Sequence, residues 1–116
     1  MSNINHTELI QQFLNALNDE DFTLAKNFAA GNMQFVGVLG TRDGAEAYFN
    51  DMVKMRFKYD VKKIFTGGDD VCVWYNIVMQ GGINVLSCGW YAIKDGKIQS
   101  IKVLFDPRPV LEAGKN

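Results

Sequence analysis

Apolar residues recur at helical spacing near the start of the chain. Leu9, Ile10, Phe13, Leu14 and Leu17 lie on one face, behind Asn5 and Glu8 at capping-box distance. This predicts a first amphipathic helix, broken by Asn18-Asp19-Glu20-Asp21. Asp21 is placed to cap a short second helix with Phe22, Leu24, Ala25 and Phe28, ended by Gly31-Asn32. A strand is expected over Met33 to Leu39, stopped by Gly40. Asp43 and Glu46 form a second capping pair, and Tyr48, Phe49, Met52 and Val53 predict a third helix ending near Arg56.

After Arg56 the pattern changes to strands over Lys58 to Thr66, Val71 to Gln80, Asn84 to Lys94 and Lys97 to Phe105. Gly67-Gly68-Asp69-Asp70, Gly81-Gly82 and Asp95-Gly96 supply the turns. The order is ααβαββββ. That is an α+β domain over residues 1–116, with three helices from the first half packed on a mostly antiparallel sheet.

Treating Asp95-Gly96 and Gly81-Gly82 as two-residue loops fixes a register. Trp90 then pairs with Ile101 and Cys88 with Val103; Val73 pairs with Trp90 and Tyr75 with Cys88. Val71, Val73, Tyr75, Ile77, Leu86, Cys88, Trp90, Ala92, Ile101, Val103 and Phe105 share the face expected to meet the helices. Cys72, Trp74, Tyr91 and Leu104 fall on the other face, which argues against a Cys72–Cys88 disulfide. A bulge at either turn would exchange part of this assignment.

Composition adds mainly exclusions. At 116 residues the chain supports one core, and 47% hydrophobic with 22% charged residues is ordinary for a globular domain. A net charge of −1 gives no general attraction to nucleic acid or anionic membrane. The basic stretch Lys54, Arg56, Lys58, Lys62 and Lys63 reads as a solvated helix end and edge strand, with a phosphate-binding patch as the alternative. The N-terminus is polar, without the apolar core of a signal peptide, and no apolar run reaches spanning length. Two cysteines without metal-ligand spacing and the single His6 argue against a zinc site, and no cofactor is expected. The small cysteine count fits a reducing, cytoplasmic setting.

Four segments carry a resemblance across almost the whole chain. They are the first amphipathic helix, Asp-Phe-Thr-Leu-Ala-Lys-Asn-Phe in the second, Asp-Gly-Ala-Glu-Ala-Tyr-Phe opening the third, and Asp-Gly-Lys-Ile-Gln-Ser-Ile before the last strand. In this ordered set the chain resembles the nuclear transport factor 2-like superfamily, which includes SnoaL-like polyketide cyclases and ketosteroid isomerases. The resemblance implies a curved, cone-like sheet around the helices, enclosing a cavity. Ketosteroid isomerases place a general-base aspartate, an oxyanion tyrosine and a protonated aspartic acid there. By position these fall on Phe13 for the tyrosine, Val36 (or Gly37) for the base, and Cys88 for the acid. None of them supplies the required donor or base, which argues against that activity.

The cavity wall is expected to be Phe13, Gln34, Val36, Met52, Val73, Tyr75, Cys88, Trp90, Val103 and Phe105. Cys88 reads as a packing thiol, since no histidine is placed to activate it. Tyr75 and Trp90 read as core aromatics or as groups that orient a planar ligand. Gln34 reads as a ligand contact or a rim residue. Asp106, in Asp106-Pro107-Arg108-Pro109, is the one catalytic candidate, set against a strand terminator with a local Asp–Arg pair. Trp74, Tyr91 and Leu104 mark an outer face on which relatives often dimerise, so a homodimer is expected. Three functions follow: a module binding a small apolar or aromatic molecule, a SnoaL-like isomerase, cyclase or hydrolase, and an interaction domain whose cavity is filled by its own side chains, the methionines Met33, Met52 and Met55 among them. The fold by itself does not choose among them.

Overall fold

The computed structural model describes residues 5–113. Helix α1 (His6–Asn18) begins where the spacing predicts. The Asn5 side chain accepts the Glu8 backbone N–H at 2.8 Å and its amide donates to the Glu8 carboxylate at 2.9 Å. Asp21 caps α2 (Phe22–Lys26) by accepting from the Leu24 N–H at 3.1 Å. Strand β1 (Ala29–Gly37) then starts earlier than expected, so that Gly31-Asn32 lies inside a strand and ends no helix.

A short strand β2 (Gly40–Asp43), absent from the sequence reading, folds back on β1. Its end residue Asp43 caps no helix; it accepts a hydrogen bond from Gln34 Nε2 at 2.9 Å across the hairpin. Gly44, at φ 93°, is the N-cap of α3 (Ala45–Met55) instead. Strands β3 (Lys58–Gly67), β4 (Asp70–Val78), β5 (Asn84–Lys94) and β6 (Lys97–Phe105) follow, and then α4 (Arg108–Ala113), where the sequence reading expected only a terminator. Among the described residues no helix is long and apolar enough to cross a membrane.

The chain is thus α+β, with four helices among the described residues and one curved, open, mixed sheet in the order β2-β1-β6-β5-β4-β3. Only the β1–β6 pair is parallel. Helix α1 packs on β3 and β4, and α3 on β1 and β2. Their apolar faces meet the sheet, placing Ile10, Phe13, Leu14, Leu17 and Phe49 in the core with almost no exposure. Burying each such side chain contributes on the order of 1.5–3 kcal/mol.

The register departs from the expected one at both ends of β5. Asp95 and Gly96 form the tight turn with positive φ (55° and 72°), and Lys94 pairs with Lys97. Pairing then slips between Ala92 and Ile93, where Gln99 stands unpaired as a bulge and donates its side-chain amide to the Lys94 carbonyl at 3.1 Å. At the other end Gly81-Gly82 is not a two-residue turn. Met79 to Ile83 form a wider loop closed by Met79 N–H to the Ile83 carbonyl at 2.7 Å, and Val78 pairs with Asn84.

One residue of shift at each end turns β5 over. Val85, Ser87, Gly89, Tyr91 and Ile93 face the helices, whereas Leu86, Cys88 and Trp90 face away. The facing expected for β4 and for Ile101 and Val103 holds.

Gly89 lies where β5 passes beneath two tyrosine rings. A Cβ there would stand 2.3 Å from the Tyr75 hydroxyl and 2.8 Å from the Tyr91 ring. Gly89→Ala is therefore expected to lower unfolding free energy by about 1–3 kcal/mol, as overpacking does, measured by urea denaturation. Phe13→Ala, which empties a fully buried aromatic site, is expected to cost about 3–5 kcal/mol in the same experiment.

Candidate functional site

The deep centre between helices and sheet is occupied by aromatic side chains. Phe13 meets Phe49 and Tyr91 edge-on, each with ring centroids 6.3 Å apart. Tyr59 stacks edge-on against Tyr75 at 5.1 Å. All four tyrosines of the chain, Tyr48, Tyr59, Tyr75 and Tyr91, are buried. The Tyr75 and Tyr91 hydroxyls bond each other at 2.7 Å, and Tyr59 donates to the Met52 sulfur at 3.6 Å. Burial pushes the ionisation of all four phenols upward, so each stays neutral.

The open space lies at one end of this packing, as a pocket of about 210 Å³. Helix α3 presents Tyr48, Asp51, Met52 and Met55 to it; their i, i+3, i+4 and i+7 spacing puts all four on one face. Strand β1 adds Phe35 and Gly37, and the β1–β2 hairpin adds Val38, Leu39 and Arg42. Phe57, Met79, Phe105 and Val110 close the far side. Gly37 leaves room for Phe35: a Cβ there would stand 3.0 Å from the Phe35 ring, which would have to give by a few tenths of an ångström. That ring in turn packs on Tyr48 at 5.3 Å.

The wall carries one charged pair. Arg42 Nε donates to Asp51 Oδ2 at 2.7 Å, and another guanidinium nitrogen donates to the Thr41 carbonyl at 2.8 Å. Among the described residues these two are the only charged ones lining the pocket. The pocket therefore combines an apolar body with a single polar edge.

Of the residues expected to line a cavity, Met52 and Phe105 do so here. Phe13, Val73 and Tyr75 point inward but are consumed by the packed centre, and Val103 is likewise core. Gln34 and Val36 lie on the face of β1 opposite Met33 and Phe35, so neither points between sheet and helices. Cys88 and Trp90 are on the outer face of β5, for the register reason given above. Trp90 donates its indole N–H to Asp70 at 2.9 Å, with the Lys102 ammonium 4.5 Å from its ring. Tyr91, expected outside beside Trp74 and Leu104, is in the core; Trp90 takes its place there.

With β1 and β5 facing as they do, the inward positions nearest the expected acids are Phe35, Gly37, Ser87 and Gly89. None is a carboxylate, and the Ser87 hydroxyl is spent on the Val85 carbonyl at 3.1 Å.

Asp106 is placed just beyond Phe105 and does not line the pocket. Arg108 grips it through Nε at 2.9 and 3.0 Å, a terminal nitrogen at 2.6 Å and the backbone N–H at 3.0 Å. These bonds bring its carboxyl down to about 2. The Asp–Arg pair of the sequence reading is therefore present. A carbon-detected NMR titration is expected to show Asp106 ionising near pH 2, with Arg108→Ala moving it back up toward the ordinary carboxylate range. Because the folded value is depressed, any stability from this exposed pair is present above the ordinary carboxylate range and is lost as pH falls toward 2.

Of the methionines expected in the cavity, Met52 and Met55 line the pocket and Met33 is core. The residues that sequence reasoning missed are chiefly Tyr48 and Asp51 on α3 and Arg42 on β2. The i, i+3, i+4, i+7 pattern around Met52 was a usable signal for the first two. Arg42 carried none, because its strand was not anticipated.

Comparison with known proteins gives one family and one fold. The sequence profile of the SnoaL-like domain matches residues 10–101. An NTF2-like protein of unknown function from Cytophaga hutchinsonii superimposes with TM-score 0.92 at 44% identity, covering 95% of this chain and 97% of that one. An LEH-like epoxide hydrolase of M. tuberculosis superimposes with TM-score 0.79 at 20% identity, covering 90% and 84%. A putative polyketide cyclase from Sinorhizobium meliloti does so with TM-score 0.75 at 16% identity, covering 83% and 93%. The last two likenesses are of fold alone. A search of curated proteins finds no match.

Proposed function

The chain belongs to the SnoaL-like domain family, and we propose that it serves there as a binding module for a small, largely apolar molecule held at the end of the sheet. The observation that carries this reading is the pocket itself: about 210 Å³, walled by Phe35, Met52, Met55, Phe57 and Phe105, with Arg42 and Asp51 as its one charged edge. Drug-sized ligands occupy roughly 300–1,000 Å³, whereas benzene enters an apolar cavity of about 150 Å³. The occupant is accordingly a single-ring or short aliphatic molecule. Its apolar body meets the methionines, whose flexible side chains adapt to shape. A hydroxyl or carbonyl on it meets the Arg42–Asp51 edge.

Calorimetric titration with phenol and cyclohexanol tests this. Saturable binding to the wild type is expected, with at least a tenfold loss in Met55→Trp, whose indole fills the pocket; far-UV circular dichroism checks that the variant is folded. Asp106→Asn is expected to leave affinity unchanged, since Asp106 lies outside the pocket. Equal, non-saturating heats from wild type and Met55→Trp would sink the reading.

A second reading, catalysis on such a molecule, is favoured by one observation. Among the described residues Asp51 is the only carboxylate lining the pocket, and Arg42 fixes its orientation at 2.7 Å. A carboxylate so held is equipped to take a proton from a bound hydroxyl or water. Under this reading Asp51→Asn abolishes turnover of small epoxide or ketone substrates while leaving binding of phenol intact. Under the binding reading the wild type shows no turnover to lose.

A further inference from the structure

The turned-over register of β5 has a chemical result on the outer face. Cys72 on β4 and Cys88 on β5 both face away from the helices, with their sulfur atoms 3.1 Å apart. Both are free thiols and partly exposed. They line a shallow outer depression with Phe65, Trp90, Lys102 and Leu104. Neither thiol is needed by the pocket, which lies at one end of the fold on the other face of the sheet.

We propose that Cys72 and Cys88 form a reversible dithiol–disulfide couple that exchanges electrons with low-molecular-weight disulfides. The thiolate of Cys72 attacks one sulfur of the small disulfide. A protein–sulfur bond forms, the small disulfide's bond breaks, and one thiolate leaves and is protonated. The Cys88 sulfur, already in contact, then attacks Cys72. The Cys72–Cys88 bond forms as the mixed disulfide breaks, and a second small thiol departs. The protein loses two electrons and two protons, and the small disulfide becomes two thiols.

The geometry supplies both the formation and the reversal. Contact between the sulfurs makes the second step intramolecular, which favours it strongly over attack by a thiol from solution. The backbone, however, is not set for an unstrained bridge. Cys72 pairs with Trp90 and Cys88 with Trp74, so the two cysteines are diagonal neighbours. Diagonal positions in antiparallel strands are typically ~7–8 Å apart at Cα, beyond the ~4.4–6.8 Å usual for disulfides. Closing the bond draws β4 and β5 together, and a bridge made under strain is readily reduced.

Burial and the neighbouring Cys72 sulfur push the Cys88 thiol up to about 11. The part due to Cys72 is relieved once Cys72 enters the mixed disulfide, which is when Cys88 must act.

The test is to expose the full, reduced chain at low concentration to oxidised glutathione, quench with acid, and read the intact mass and a peptide map. Loss of two hydrogen masses is expected, with a Cys72–Cys88 cross-linked peptide and return to the dithiol on adding dithiothreitol. Trp90, opposite Cys72, reports the step by a fall in fluorescence. Cys88→Ser is expected to stop at a persistent glutathione adduct on Cys72, and Cys72→Ser to remain unmodified. A wild type that accumulates the same persistent adducts, forms cross-linked dimers, or does not react while still folded would overturn the proposal.

Discussion

The interior of this protein is governed by how closely its aromatic rings approach the middle of the sheet. Tyr75 and Tyr91 stand over Gly89 with their hydroxyls joined at 2.7 Å. Phe13 is wedged between Tyr91 and Phe49, and Tyr59 closes on Tyr75. Protein interiors are packed to crystal-like density, so this cluster leaves the centre of the curved sheet solid. The buried phenols of Tyr59, Tyr75 and Tyr91 remain tolerable because they are neutral and bonded to one another or to Met52. A side chain at position 89 would break the arrangement at its tightest point.

The location of the open volume follows from that filling. Space that the fold encloses is displaced to the end of the sheet, where Phe35 lies over Gly37 and the β1–β2 hairpin folds back beside α3. The hairpin carries Arg42 to Asp51, so the polar edge depends on a strand of four residues. Because α3 presents four residues of one face to the pocket while its Phe49 belongs to the packed centre, substitutions at Asp51 and Met55 alter the site and leave that centre in place. The outer face obeys a different constraint. There the wider Met79–Ile83 loop sets the register of β5 against β4, and so brings two cysteine sulfurs into contact.

Much of the architecture was legible along the chain. The Asn5–Glu8 and Asp21 caps, the helical stripe through Phe13, and the last two strands, with Asp95-Gly96 turning between them, all match. Local chemistry decides these features: a cap needs a side-chain acceptor at one position, and a tight hairpin turn needs two residues at positive φ. The face of β5 was misjudged because Gly81-Gly82 was read as a two-residue loop and no bulge was placed at Gln99, and hydropathy agreed with the register that resulted. Leu86, Cys88, Trp90 and Ala92 are more apolar than Ser87 and Gly89, yet the latter face the core. The serine is satisfied by a local carbonyl, and the glycine is required by its neighbours' size. One signal was present: Ile98 and Ile101 are both buried at a spacing of three, which a regular strand cannot achieve without a bulge.

By itself the sequence determined the first three helices, the four C-terminal strands, the family resemblance, and the absence of a carboxylate where a ketosteroid isomerase would need one. Those depend on residue type and short-range spacing. Only the tertiary structure decided which cavity residues are core and which are wall, that Arg42 meets Asp51, and that Cys72 meets Cys88. Each of these depends on a register between segments distant in the chain. In a sheet a shift of one residue reverses every side chain that follows.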